Sequence, residues 1–371
     1  IIARAVGAED KKSASRTVGN TATLFMLISV ALALTLLLFA RRIVFAMSTP
    51  EQAVNGTFLY LSICFAGIPF ITAYNIISSI FRGLGDSKSP MYFIAVACVA
   101  NIIFDYIFMG ALKLGPAGAA LGTTLSQAVS VAIALAVIIK RKLISVERSD
   151  FVLRREIVLP VLKIGFPVAM QDGFIQISFI LITIIANRRG LADAAAVGIV
   201  EKIMSFMFLV PSSMLSTVSA LASQNIGAKK YDRADSTLRF ASFIATGFGL
   251  AMAVLIQFSA SSFVALFTAD SVVIALGAQY LRGYIWDCFL GGIHFSFSGY
   301  FCALGKSGIS FLHNLLSIVL VRVPGAYFMS KLFPENLFPM GIATACGSLL
   351  SVIVCVIAFC ILRKRKNFAT S

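Results

Sequence analysis

Polar residues along this chain fall in short clusters, and between them run apolar stretches that are long and continuous. Ten such stretches stand out, at 20–40, 54–81, 90–110, 117–139, 157–187, 195–221, 238–264, 272–304, 307–330 and 338–362. A helix needs about 20 apolar residues to cross the hydrocarbon core of a bilayer. Strands of a membrane barrel alternate over only about ten residues, and nothing here alternates. The pattern predicts an all-α polytopic membrane protein with ten transmembrane helices. The longest polar segment, KRKLISVERSDFVLRRE at 140–156, separates the fourth helix from the fifth. It divides the chain into an N-terminal lobe (1–142, four helices), a cytoplasmic linker (143–156) and a C-terminal lobe (157–371, six helices).

The two lobes repeat each other. At an offset of 220, Gly7-Ala8 falls on Gly227-Ala228, and Phe81, Leu84, Gly85 and Ser87 fall on Phe301, Leu304, Gly305 and Ser307. Three further residues enter near Leu332–Asn336, after which Pro116, Gly118 and Ala120 match Pro339, Gly341 and Ala343 at an offset of 223. Long-period repeats in apolar chains build transporters from paired bundles around a central site. The second copy has about two helices before its Gly-Ala pair that the first copy lacks. Twelve helices, six in each of two pseudo-symmetric helical-bundle lobes, are therefore expected of the complete protein.

Composition agrees: 59% of residues are hydrophobic, 13% are charged and the mean hydropathy is +0.93, outside the range of soluble domains of this length. The net charge of +15 suggests nucleic acid until its distribution is read. One set of alternate loops carries 22 Lys and Arg and the other set carries 6. That is the positive-inside pattern, so the Ile1 end, the linker and the C-terminus are expected on the cytoplasmic side. The basic residues are topology signals, with a secondary role toward anionic lipid for the tail at 363–366. No nucleic-acid partner is implied.

The seven cysteines lie inside expected helices without metal-ligand spacing and read as small buried hydrophobes. The two histidines, His294 and His313, are separated in sequence, and neither HExxH nor GxSxG occurs, so no enzyme is implied. Pro69, Pro167, Pro211 and Pro324 stand within helices and should kink or break them. Gly115, Gly118 and Gly122 share one helix face and should admit a neighbouring helix within the lobe.

Ionisable residues in hydrocarbon are costly, and they are the candidate site. Asp105 is expected mid-helix with Asn101 one turn earlier, and the next helix brings Thr123 and Thr124. These oxygens form a candidate coupling site, in which Asp105 would hold Na⁺ or a proton. In the second lobe the candidates for the substrate cavity are Gln171, Asp172, Gln176, Glu201 and Asp287. Arg322 with an acid, and Lys202 with Asp172, are candidate structural ion pairs. A cavity that combined these acids with Phe, Tyr and Met would suit flat hydrophobic cations.

Certain segments resemble the multidrug and toxic compound extrusion (MATE) family. RAVGAEDKKSASRTVGN and SQNIGAKKYDRADSTLRFA are similar to its two cytoplasmic signatures. FRGLGDSKSPMYFIAVACVANIIFDYIFM followed by GPAGAALGTTLSQ is similar to the late helices of its first lobe, and GIVEKIMSF to a bacterial branch. The resemblance implies two six-helix lobes that open alternately to each side and exchange Na⁺ or H⁺ for organic cations. It implies that Asn101, Asp105 and Thr123 match three of four coupling residues known in some members. Other members use acids in the helices where Asp172, Glu201 and Asp287 lie. No cofactor apart from the coupling ion is implied, and GLGDSKS lacks phosphate-loop spacing, so ATP is not. The expected protein is a monomer in the bacterial plasma membrane. Two alternatives stay open: a lipid-linked saccharide flippase of the same superfamily, or an inactive truncated transporter.

Overall fold

The computed structural model describes residues 1–47, 49–141 and 146–369, with side chains through Lys364. Linker positions 143–145 lie outside the described residues. A short helix α1 (Ile2–Gly7) leads into α2 (Lys11–Ala46), whose first turn is capped by Asp10 accepting from the Ser13 N–H at 2.9 Å. There follow α3 (Glu51–Gly83), α4 (Lys88–Asp105) and α5, which starts at Pro116 and ends at Arg141. Proline suits that first helical position because its missing N–H would have no partner there. After a 3₁₀ turn at Arg148–Phe151 come α6 (Arg155–Asn187), α7 (Leu191–Met207), α8 (Leu209–Gly227) and α9 (Tyr231–Ala265). The chain ends with α10 (Ser271–Tyr284), α11 (Trp286–Ala303), α12 (Ser307–Ser317), α13 (Val323–Leu332) and α14 (Phe338–Ala369).

Among the described residues, nine helical segments are long and apolar enough to cross a membrane. They correspond to nine of the ten expected spans. The tenth, read as one helix over 272–304, is two helices interrupted at Ile285. There the Cys288 N–H bonds the Ile285 carbonyl at 2.9 Å, a tighter turn than the helix on either side. Just before the break, Gly283 lies against the backbone of α14: a Cβ on it would fall 2.5 Å from the Phe338 carbonyl oxygen. Glycine is a poor helix former, and this one is held where only glycine fits.

Two of the expected proline breaks are visible in detail. Pro211 cannot donate to the Met207 carbonyl, α7 ends there, and the Cys288 thiol lies 3.5 Å from that oxygen as a replacement donor. Pro324 likewise leaves the Leu320 carbonyl without its usual donor, and the backbone widens into a π-helical stretch at Ile318–Arg322. Pro69 and Pro167 are accommodated inside α3 and α6. Gly115 departs from expectation. It has φ +58 in the turn before α5, so it shapes that turn and takes no part in the helix face.

The chain forms two compact units, Ile1–Val161 and Leu162–Ser371. The sequence repeat is written into their local geometry. Helix α3 begins at Glu51 and ends at Gly83, and the α10–α11 segment begins at Ser271 and ends at Ala303, 220 residues on in both cases. Gly85 and Gly305 carry φ +91 and +73, and Glu9 and Lys229 carry +57 and +59, again 220 apart. Phe81 and Phe301 are both fully buried. In the first unit Phe81 meets Phe93 edge-on at 5.3 Å, in a core with Ile77, Val131 and Ala134. The second unit has a larger core around Ile256, Tyr280, Leu281, Tyr284 and Met340. Large apolar side chains remain outside, such as Phe258 at 87% and Leu38 at 82% exposure, as lipid-facing surfaces require.

Candidate functional site

In both units polar side chains gather among the apolar helices. In the first, Asn101 and Asp105 stand one turn apart on α4 and face α5 at Gly122. A Cβ on Gly122 would come 2.2 Å from Asp105 Oδ1 and 3.5 Å from Asn101 Nδ2. The glycine makes room for the carboxyl. Asp105 Oδ1 and Asn101 Nδ2 are buried and form no hydrogen bond within the protein. Just beyond Asp105 the helix widens into a π-helical stretch at Tyr106–Ala111, a distortion often found where a helix carries function. The two threonines do not complete a ring around the carboxyl. Thr123 is exposed and its hydroxyl donates to the Ala119 carbonyl of its own helix at 3.1 Å. Thr124 turns toward α3 and donates to the Ile63 carbonyl at 3.4 Å.

The second cluster lines a cavity of about 190 Å³ within the C-terminal unit. Arg322 is at its centre. Its Nη1 lies 3.7 Å from Asp287 Oδ2 and its Nη2 donates to the Tyr284 hydroxyl at 2.6 Å. The guanidinium also covers the rings of Phe179 and Tyr284, with centroids at 5.2 and 5.7 Å. The break at Ile285 places Tyr284 and Asp287 at facing helix ends, and both are 1% exposed. Glu201 joins from α7, accepting a long hydrogen bond of 3.5 Å from the Thr183 hydroxyl. Aromatic wall is supplied by Phe179, Phe208 and Phe295.

Of the second-lobe candidates, Glu201 and Asp287 share this cavity, and Gln171, Asp172 and Gln176 are not part of its lining. Gln171 is buried on α6 with its Oε1 unbonded, while Asp172 and Gln176 are exposed on that helix. Arg322 pairs with an acid as expected. Lys202 and Asp172 form no ion pair among the described residues. Sequence reasoning missed the histidines. His294 lines the cavity, its ring centroid lies 5.7 Å from that of His313, and His313 Nε2 is 2.8 Å from Ser298 Oγ. The signal was available, since imidazoles within apolar helices are themselves unusual. Among the described residues no three His, Cys, Asp or Glu side chains form a metal-ligand cluster.

The profile of the MatE family matches residues 1–107 and 167–328, most of the chain and parts of both lobes. The chain belongs to the MatE family. Members of this family are membrane transporters and not enzymes, and the present chain is a multi-pass membrane protein. It is similar to the probable multidrug resistance protein YpnP of Bacillus subtilis, with 29% identity over 299 residues, covering 80% of this chain and 66% of that one. It is also similar to the probable multidrug resistance protein YoeA of the same organism, with 27% identity over 338 residues, covering 89% and 73%. The chain thus spans from just under two thirds to about three quarters of the length of these MatE relatives. In structure it resembles a multidrug resistance MATE family transporter of the MOP superfamily in its outward-facing conformation. The TM-score is 0.92 at 22% identity, over 98% of this chain and 82% of that one, which establishes the shared two-lobed fold.

Proposed function

We propose that this protein exports organic cations in exchange for Na⁺ or H⁺ by alternating access, as a monomer in the bacterial plasma membrane. The observation that carries this reading is the charge of the second-lobe cavity. Two carboxylates, Asp287 and Glu201, stand there with one guanidinium, Arg322, and the imidazole of His294, among Phe179, Phe208, Phe295 and Tyr284. A cavity with surplus acid and aromatic walls favours a flat cation by charge, by ring quadrupole and by area. The pyrophosphate of a lipid-linked saccharide would call for surplus base. The multidrug resistance names of the B. subtilis relatives point the same way.

The Asn101–Asp105 cluster is the proposed entry point of the coupling ion. Its unbonded oxygen is available to a proton or a Na⁺, and the cost of leaving such a group buried is recovered when the ion arrives. Exchange then follows if ion and drug favour different conformational states. The test is accumulation of a fluorescent organic cation in cells stripped of their own efflux pumps, with Na⁺ and pH gradients imposed separately. Extrusion driven by one gradient and abolished by Asp105→Asn at equal expression is the expected result. Extrusion under neither gradient would reject drug export, and extrusion untouched by the substitution would move coupling to Glu201 and Asp287.

A further inference from the structure

Where the basic loops of the second unit meet its helices, α9, α11 and α14 enclose a separate cavity of about 160 Å³. Tyr300, Leu304, Phe359 and Leu362 form an apolar floor, and Lys306, Arg363 and Asp235 supply the charge. The Tyr300 hydroxyl donates to the Asp235 carboxylate and so engages one of its oxygens. Neither Lys306 nor Arg363 enters an ion pair among the described residues.

The first unit shows how the same corner is neutralised elsewhere. By the repeat, Lys306 stands where Asp86 stands, and Arg363-Lys364 stand where Lys140-Arg141 stand. The two turns have the same backbone: the Asp86 N–H bonds the Phe81 carbonyl at 2.9 Å, and the Lys306 N–H bonds the Phe301 carbonyl at 2.8 Å. In the first unit Asp86 meets Arg141 at 3.5 Å. In the second the acid has become a lysine while the bases remain. Like charges then share a corner whose one acid in the cavity lining, Asp235, is already bonded to tyrosine.

We propose that this cavity binds the phosphate of an anionic phospholipid. Lys306 and Arg363 take the phosphodiester, and Asp235 accepts from a headgroup hydroxyl. Leu304, Phe359 and Leu362 receive the glycerol and the first methylenes. Two bases and one acid leave one surplus positive charge, which a monoanionic lipid neutralises and a zwitterionic one does not. The apolar floor favours a lipid over a free phosphate ion, and beside it Ile361 is exposed, as on a lipid-facing surface.

The experiment is native mass spectrometry of the full protein in detergent, titrated with phosphatidylglycerol, phosphatidylethanolamine or inorganic phosphate, alongside thermal unfolding. Wild type should retain one phosphatidylglycerol in preference to phosphatidylethanolamine. Lys306→Asp, which restores the acid of the first unit, should weaken that lipid at least tenfold without lowering the lipid-free unfolding midpoint. Lys306→Gln and Arg363→Ala should each weaken it several-fold, and they serve if Lys306→Asp does not fold. Equal retention of the two lipids by wild type, or unchanged retention in the variants, would overturn the proposal. Full thermal protection by inorganic phosphate, with no preference among lipids, would assign the corner to a free ion and reject the lipid.

Discussion

Arg322 and Asp287 face each other at 3.7 Å inside the second lobe, the arginine side chain 11% exposed and the carboxylate 1%. Charges so placed are held by one another, and removing one strands the other. Breaking a buried pair costs about 3–5 kcal/mol, whereas replacing both partners by neutral groups is often nearly neutral. Arg322→Met alone is therefore expected to lower stability by roughly 3 kcal/mol, with Asp287→Asn in the same direction. The double variant should recover most of the loss. Denaturant unfolding of the four proteins in detergent checks this, and strictly additive losses would show that the pair is not coupled.

Two glycines separate packing from function. Gly283 touches backbone, with the Phe338 carbonyl 2.5 Å from where a Cβ would sit, so Gly283→Ala must push α10 and α14 apart. Overpacking of that kind costs about 1–3 kcal/mol. Gly122 instead faces the end of the Asp105 side chain at 2.2 Å, and a carboxyl can rotate away. Gly122→Ala is expected to unfold within about 1 kcal/mol of wild type, at the lower edge of the overpacking range. It should nevertheless reduce gradient-driven transport as strongly as Asp105→Asn. Unfolding midpoints and transport assays on both variants decide the matter; a Gly122→Ala protein with full transport would separate the carboxyl's position from coupling.

Residues such as Gly85 and Gly305 made the repeat legible in the sequence, because a turn that needs positive φ recurs as glycine at a fixed spacing. The spans were legible for a similar reason, since lipid imposes length and apolarity. The cavity was not. Helices that are apolar on nearly every face carry little amphipathic signal, so periodicity does not tell which way Glu201 or His294 points. The break at Ile285, with no proline at hand, lies beside the close approach of α14 at Gly283, a contact that could not be read from α10 and α11 alone. Thr123 was named from its place near Asp105, and its orientation was equally hidden: its hydroxyl donates to the carbonyl four residues back, as threonines in helices commonly do, which leaves its lone pairs free.

Asn20 fastens the segment after the fourth long helix to α2. Its Nδ2 donates to the Asp150 carbonyl at 2.9 Å and its Oδ1 accepts from the Arg154 N–H at 2.7 Å. Gly19 lets that backbone approach, since a Cβ there would be 2.5 Å from the Asp150 oxygen. Asn20→Ala would leave two backbone groups without their partners and free the segment to open locally. Trypsin should then cut at Arg148, Arg154 or Arg155 several-fold faster than in wild type, at unchanged global unfolding. Equal cleavage rates would mean that the segment is held by other contacts.

Asp86 lies between α3 and α4, outside the spanning segments, and gives the protein an acid-sensitive joint. Its Oδ2 accepts from the Ser89 hydroxyl at 2.6 Å and its Oδ1 from the Lys88 and Ser89 N–H groups at 3.0 Å. The Ser89 hydroxyl is foremost in holding the carboxyl below its ordinary range, helped by those N–H groups and by Arg141. A carboxyl depressed in the folded state stabilises fully above its unfolded value, about 4. That contribution is lost as the pH falls through the lower folded value. The unfolding midpoint should therefore drop on acidification below about pH 4. Asp86→Asn should lower the midpoint slightly at neutral pH and flatten this part of the acid limb. The carboxylate side chain is 31% exposed, so solvent screening keeps the effect small. Scanning fluorimetry of the two proteins across the acid range tests it. Parallel acid limbs would show that Asp86 contributes nothing to the pH dependence, and that the like-charged corner at Lys306 has no stabilising counterpart in the first lobe.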